Sequence, residues 1–350
     1  MRISSVGMPF LDYHKSSMLN RTLISASQKN DADIFSFKGE NENSGLSEKI
    51  AIIPSVNKTG LEKNIERQLG VNALNTQVKH FKNGETYVNI DGKIRGKDVY
   101  IMPASGDNVN ENLMETYLKA DAAKRAGAEK VIAVMPSFYY ARQEKRASGL
   151  NEPIAARLNM DLLKASGVDE IITVDLHSAS IEGFAGNDMP VTNLESMPVM
   201  LEYLKSKNLK NTVIVSPDTG GVKRADKLAK AIGCEKAIVY KYRHAHNEAS
   251  AETLIGDVFG KNCIIFDDII DTAGTIAEAA KLLKTRGAKD IYVCAAHGLF
   301  NGDAMEKLQN APVKEIIATN SVKPKKDVID KIKYVDMSSQ IAGAMLDISA

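Results

Sequence analysis

A doubly wound α/β fold is what this sequence predicts, on three observations. From Ile50 onward, short β-rich runs alternate with helical segments. The runs are continuously apolar, the pattern of strands buried on both faces of a parallel sheet. Two of the helical segments close on a glycine placed to end them before the next run begins. Strand-helix-strand repetition of this kind implies right-handed crossovers.

In chain order the runs are KIAIIP, DVYIMPA, KVIAVMP and EIITVDL, then NTVIVSP, KAIVYKY, NCIIFDD and DIYVCAAH. The clearest amphipathic helices between them are ENLMETYLKADAAKRAGA and GTIAEAAKLLKTRGA. AAKRAGAEKVIAVMPS and LLKTRGAKDIYVCAAH share one unit: helix, glycine, polar turn, apolar strand. That repetition predicts two domains of similar topology. NDMPVTNLESMP, rich in Pro and polar residues, marks a boundary near 190–196. The expected organisation is an extension over 1–48, a first domain over 49–192 and a second over 193–325, with 326–350 packing back on the first. The extension is Ser-rich, has no helical or strand period and lacks the apolar core of a secretory signal. It is expected to be peripheral or poorly ordered, with a transit peptide as the alternative.

Composition narrows the function classes. The chain has 350 residues, about two domains' worth, with 44% hydrophobic and 25% charged residues. A formal net charge of +1 carries no footprint for nucleic acid or an anionic membrane surface. No apolar run approaches the roughly 18 residues of a membrane span. Cys234, Cys263 and Cys294 are far apart and form no CxxC; buried, reduced thiols in a cytoplasmic setting are expected.

Ligands of open α/β sheets bind beyond the carboxyl ends of the strands. The residues following the strands here are SFYYARQEKR, HSAS, DTGGVKR, KYRHAHN and DDIIDTAGT, a succession of charged, polar and small groups. In the last of these the strand is expected to end at Phe266, followed by Asp267 and Asp268. Asp271, Thr272, Ala273, Gly274 and Thr275 then form a turn opening a helix. Backbone N–H groups and the positive end of the helix dipole make such a turn an anion site. Asp267 and Asp268 would repel that anion. They suit the hydroxyls of a sugar, or a divalent cation. Phosphate at one end and hydroxyls at the other describe a ribose phosphate. The plainer reading is a helix capped by aspartate, but capping does not call for three carboxylates in five positions.

FDDIIDTAGT resembles the phosphoribosyl pyrophosphate signature of the phosphoribosyltransferase superfamily. FKNGETYVNI, PSFYYARQEKR, VDLHSASIEGF, VSPDTGGVKRA and the helix NENLMETYLKADAAKRAGA are similar to the ribose-phosphate pyrophosphokinase family. The likeness covers roughly residues 50–345. It implies two similar phosphoribosyltransferase-type domains, each a mainly parallel sheet flanked by helices. It implies transfer of the diphosphoryl group of ATP to the C1 hydroxyl of ribose 5-phosphate, with magnesium. Carried over, the family's ATP contacts fall on Phe81, Asn83, Glu85, Arg142 and Gln143. Its magnesium-associated residues fall on His177 and Asp218, and its mobile catalytic loop on Lys241 and Arg243. Its ribose 5-phosphate site falls on Asp267, Asp268 and 271–275. Family members assemble from dimers into hexamers.

The chemistry is consistent with those assignments. No GxxxxGK[ST] loop is present, so ATP needs another cradle. Aromatic, amide and guanidinium groups can stack on adenine, read its edge and pair with phosphate. Cations on a late-closing loop would stabilise charge on the transferring group. His244 and His246 have no acidic partner at metal-ligand spacing. The chain departs from the family at PSVNKTG, where a SGNS turn is usual, and at Lys93, which stands where Ser is frequent; both bear on regulation and assembly. Two alternatives share part of the pattern. A phosphoribosyltransferase would need no ATP site, and a catalytically silent subunit would have lost a loop cation or a ribose aspartate.

Overall fold

The computed structural model describes residues 44–56, 58–103, 106–242 and 251–350, all within one compact unit of the chain. Arg243, His244, His246 and all but the last residues of the 1–48 extension lie outside the described residues. The first half contains α1 (Ser44–Lys49), β1 (Ile50–Ile53), α2 (Gly60–Leu69), β2 (Asn75–His80), β3 (Thr86–Asp91), β4 (Asp98–Ile101), α3 (Val109–Arg125), β5 (Lys130–Met135), α4 (Ala155–Ala165), β6 (Glu170–Val174), a 3₁₀ turn (Ala179–Ala185) and β7 (Val191–Leu194). The second contains α5 (Met197–Ser206), β8 (Thr212–Ser216), α6 (Val222–Ile232), β9 (Glu235–Tyr242), β10 (Ala251–Ile255), β11 (Asn262–Ile270), α7 (Gly274–Thr285), β12 (Ile291–Gly298), α8 (Ala304–Asn310), β13 (Glu315–Thr319), β14 (Ile332–Val335) and α9 (Ser338–Ser349).

Two parallel sheets dominate. The first has the order β1-β4-β5-β6-β7 and is parallel throughout. The second runs β10-β9-β8-β11-β12-β13-β14, with β10 alone antiparallel to its neighbour. Strand alternation divides each apolar run between two cores. In the first sheet Val99, Ile101, Val131 and Ala133 pack with Leu113 and Ala120 of α3. Ile50, Ile52, Tyr100 and Ile132 face the other way, onto Leu61 and Ile65 of α2 and Ile341 and Met345 of α9. In the second, Val213, Ile265 and Val293 meet Ile276 and Leu283 of α7, while Ile214, Ile264 and Phe266 meet Met200 of α5 and Leu228 of α6. The continuous apolar runs read from the sequence are thus strands covered on both faces.

The helix ends follow from local chemistry. Gly127 and Gly287, one residue past the caps of α3 and α7, have φ of +85° and +83°, where a side chain is strained. A Cβ at Gly287 would also lie 2.5 Å from the Phe259 ring. At PSVNKTG, Thr59 and Glu62 form a capping box on α2. Glu62 also accepts from the Ser55 amide (3.0 Å) and hydroxyl (2.6 Å), and the buried Lys119 donates to the Pro54 carbonyl (2.6 Å) and pairs with Glu115. The turn is therefore fastened from beneath by buried charge.

Two expectations change. β11 does not stop at Phe266; it continues to Ile270, because Ile269 and Ile270 still pair with His297 and Gly298 of β12. Asp267 and Asp268 thus sit within a strand extension. Of 326–350, α9 alone crosses to the first sheet, whereas β14 adds an edge strand to the second. No helix among the described residues is long and apolar enough to cross a membrane.

Candidate active site

The carboxyl ends of β6 and β11 meet. His177, three residues past β6, brings Nδ1 to 2.6 Å from Asp268 Oδ2 on β11. Arg224, in the first turn of α6, reaches both aspartates, with Nη1 3.4 Å from Asp267 Oδ1 and 3.3 Å from Asp268 Oδ1. The Asp268 amide donates to Asp267 Oδ1 (2.9 Å). Burial pushes the Asp267 carboxyl upward, aided by Asp268 beside it. Burial would also raise Asp268, but the hydrogen bond from His177 and the Arg224 charge outweigh it and hold that carboxyl down. The bond to Asp268 in turn raises His177 above its usual value.

Asp218 lies in the turn after β8. Its Oδ1 accepts from the Gly221 amide (3.0 Å), and its carbonyl accepts from Ser216 Oγ (2.7 Å). Gly221 joins this turn to the neighbouring group: a Cβ there would lie 3.8 Å from Asp218 Oδ1, 3.9 Å from Arg224 Nη1 and only 2.8 Å from Ser216 Oγ. The close approach calls for glycine.

The turn after β11 is built without a cap. Ala273 holds φ of +59°, and no side chain caps the N-terminus of α7. Asp271 is engaged elsewhere: Arg142 Nη2 lies 2.7 Å from its Oδ2, and Asn301 Nδ2 donates to its Oδ1 (2.9 Å). The capping reading of these carboxylates is therefore not realised. Thr272, Gly274 and Thr275 border helix-start N–H groups with no side-chain acceptor.

The remaining expected residues are placed differently. Phe81, Asn83 and Glu85 form the tip of the β2–β3 hairpin. Phe81 N donates to the Glu85 carbonyl (2.8 Å) and Asn83 Oδ1 accepts from Glu85 N (3.2 Å). Phe81 is 58% exposed, with its ring against Tyr87. These bonds tie the tip to itself, not to Arg142. Gln143 is exposed, its backbone amide donating to the Tyr140 carbonyl (2.9 Å). Lys241 lies on β9 and Arg243 falls outside the described residues. Among the described residues no group of three or more His, Cys, Asp or Glu could hold a metal ion by itself.

Arg224 and Asn301 are site residues that sequence reasoning misses. Arg224 stands inside VSPDTGGVKRA, where only the start of α6 turns it toward β11. Nothing in Asn301's immediate sequence points to Asp271.

A model of the N-terminal domain of ribose phosphate pyrophosphokinase matches residues 50–167, and one of the phosphoribosyl synthetase-associated domain matches 243–350. The ribose-phosphate pyrophosphokinase of Fusobacterium nucleatum is 40% identical over 288 residues, 81% of this chain and 90% of the relative. That of Bacillus subtilis is 41% identical over 287 residues, 82% and 90% of the two chains. The chain belongs to the ribose-phosphate pyrophosphokinase family. The crystal structure of phosphoribosylpyrophosphate synthetase from Mycobacterium smegmatis superposes with a TM-score of 0.79 at 33% identity, covering 85% of this chain and 98% of that one. For a ribose-phosphate pyrophosphokinase, the Arg142–Asp271 and His177–Asp268 pairs join residues from the two halves of the chain.

Proposed function

We propose that this chain transfers the β,γ-diphosphoryl group of ATP to the C1 hydroxyl of ribose 5-phosphate, giving 5-phosphoribosyl 1-pyrophosphate and AMP. The observation that carries the reading is the meeting of two strand ends: loop residues after β5 and β6 touch the carboxylates of β11 and its turn. The uncapped start of α7 supplies amide donors for the sugar's 5-phosphate, with Thr272 and Thr275 hydroxyls beside them. Asp267 and Asp268 accept from ribose hydroxyls and orient C1. On this reading Arg142, beside Asp271, and Gln143 pair with the nucleotide's phosphates, and Phe81, Asn83 and Glu85 take its base when ATP binds. The C1 oxygen gives up its proton to water and bonds to the β-phosphorus while the bond from that phosphorus to the α-phosphate oxygen breaks and AMP departs. Lys241 and Arg243 stabilise the negative charge on the transferring group. No protein nucleophile is required, so positioning and charge neutralisation supply the rate.

Magnesium fits the donor set in a particular way. This cation binds through one or two carboxylates plus substrate phosphates and keeps its waters, so Asp218 without an enclosing protein cage suits it. His177 has Nδ1 fixed on a carboxylate, the arrangement that orients a metal-facing imidazole. When bound, the cation would neutralise phosphate charge. The division of labour follows the halves: 49–192 with α9 behind it for the nucleotide, 193–325 for the sugar. We extend the reading to a cytoplasmic homohexamer built from dimers, and the buried free Cys263 and Cys294 fit a reducing setting. Incubation with ATP, ribose 5-phosphate and magnesium should yield AMP and 5-phosphoribosyl 1-pyrophosphate in equal amounts. AMP absent at every magnesium concentration would overturn the reading.

A further inference from the structure

Val174 ends β6, and the three residues after it carry His177 to Asp268. Asp175 holds a left-handed φ of +41°, uncommon for a residue with a Cβ. Its N–H donates to the Leu194 carbonyl (2.9 Å), and its carboxylate accepts from the Ser196 amide (3.2 Å) and hydroxyl. The Leu176 N–H donates to Asn193 Oδ1 (3.2 Å). Strain persists only where the surroundings over-determine it. In its own sheet Val174 donates its N–H to the Pro136 carbonyl (3.0 Å) and pairs with Leu194; its carbonyl is taken by the other sheet, where His297 Nε2, on β12, lies 3.0 Å away.

His297 is 3% exposed, and both of its ring nitrogens have partners. A carbonyl only accepts, so Nε2 carries the proton. Nδ1 lies 2.8 Å from Ser321 Oγ, a hydroxyl that also reaches the Ala296 carbonyl (3.0 Å). Ser321 N donates to Thr319 Oγ1 (3.1 Å), which donates to the Ala296 carbonyl (2.6 Å). Ser321 and Thr319 are fully buried. Packing alone would be served by an apolar side chain; this network instead commits two further buried polar residues, Ser321 and Thr319, to fixing one imidazole toward one carbonyl.

We propose that His297 is a positioning residue for the transfer reaction. Its bond to Val174 registers the end of β6 against the second sheet, so that the strained Asp175 turn presents His177 to Asp268. The inference rests on the reaction proposed above, in which displacement of a positioned group by ~1 Å costs about 10²-fold in rate.

The test compares His297→Asn, whose amide can meet Ser321 but is too short for Val174, with His297→Gln, whose N–H takes the place of Nε2–H. The Asn variant is expected to lose about 10- to 100-fold in kcat, with KM for both substrates within roughly threefold; the Gln variant recovers most of that loss. Amide exchange of Leu176 and His177, measured without substrates, rises in the Asn variant and stays at the wild-type rate in the Gln variant. Equal kcat in the two variants, or unchanged exchange in the Asn variant, would overturn the role. If His297→Asn does not fold, Ser321→Ala carries the test, with kcat lowered about threefold or more expected and unchanged kcat contradicting it. Wild-type enzyme that forms no AMP would sink the reaction, while the exchange measurements still judge His297.

Discussion

Asp271 is held from two directions, by Arg142 of the first half and Asn301 of the second. A carboxylate so placed orders the turn rather than receiving the phosphate, since like charges repel. Asp271→Asn should therefore raise KM for ribose 5-phosphate about tenfold and leave kcat within roughly threefold, because a weakened turn loses binding shared by ground and transition states. Steady-state kinetics check this, and an unchanged KM would contradict the turn's role. Lys241 is expected to act in the opposite way. Lys241→Ala should lower kcat by about 10²- to 10³-fold, the loss typical of one preorganised donor to developing charge, with little change in KM. A proportional loss of ribose 5-phosphate binding would make it a clamp instead.

Among the elements, α9 is tied to the first sheet by both packing and hydrogen bonds. It covers one face of the first sheet, and a few contacts anchor it. Met345 and Ile341 are fully buried against that sheet. The Tyr100 hydroxyl, from the middle of β4, donates to the Met345 carbonyl (2.7 Å) and meets Ser349 Oγ (2.8 Å), and Lys49 Nζ donates to the Ser349 carbonyl (2.7 Å). Of these, the Lys49 bond satisfies a carbonyl that the helix end leaves open, while the Tyr100 bond is a second one to a carbonyl already inside the helix. Tyr100→Phe should destabilise by about 1–3 kcal/mol, the penalty for stranding the buried Ser349 hydroxyl. Urea unfolding measures it, and kcat should not move. A midpoint equal to the wild type would mean the helix is held by apolar packing alone.

At the scale of the whole molecule, stability should depend on acid. Burial lowers the His297 pKa below its ordinary value of 6.5 in the folded chain, while the unfolded chain keeps that value. The unfolded state therefore binds the extra proton first. The stability contribution is fully present above about pH 6.5 and falls as pH drops toward the folded-state value, by up to about 1.4 kcal/mol per pH unit for one proton. Thermal unfolding between pH 7.5 and 5 should show a steeper loss in the wild type than in His297→Gln. Parallel curves would assign the acid sensitivity to other groups. The molecule is legible in its sequence to different depths. The parallel strands are, because burial on both faces writes itself as runs such as KVIAVM. So is the start of α7, because DTAGT combines small residues with a helix pattern. The β2–β3 hairpin is not: its strands are short and half-exposed, and their pairing depends on a tip that no apolar run announces. The true length of β11 escapes because pairing with β12, not local composition, carries it past the two aspartates. Arg224, Asn301 and His297 escape because their partners are distant in sequence: Asn301 and Asp271 are 30 residues apart, Arg224 and Asp267 are 43, and His297 and Val174 are 123. Contacts over such separations are set by the packing of the two sheets, which no local pattern encodes.

The proposed reaction requires that the carboxyl ends of β6 and β11 form one site in which ATP gives up two phosphoryl groups together. The most direct measurement uses ATP labelled at the β-phosphorus, with ribose 5-phosphate and magnesium, and follows where the label goes. All of it should appear in the diphosphate on C1 of the sugar, with unlabelled AMP formed in equal amount. Label found in ADP, with phosphate transferred singly, would contradict transfer of a diphosphoryl group.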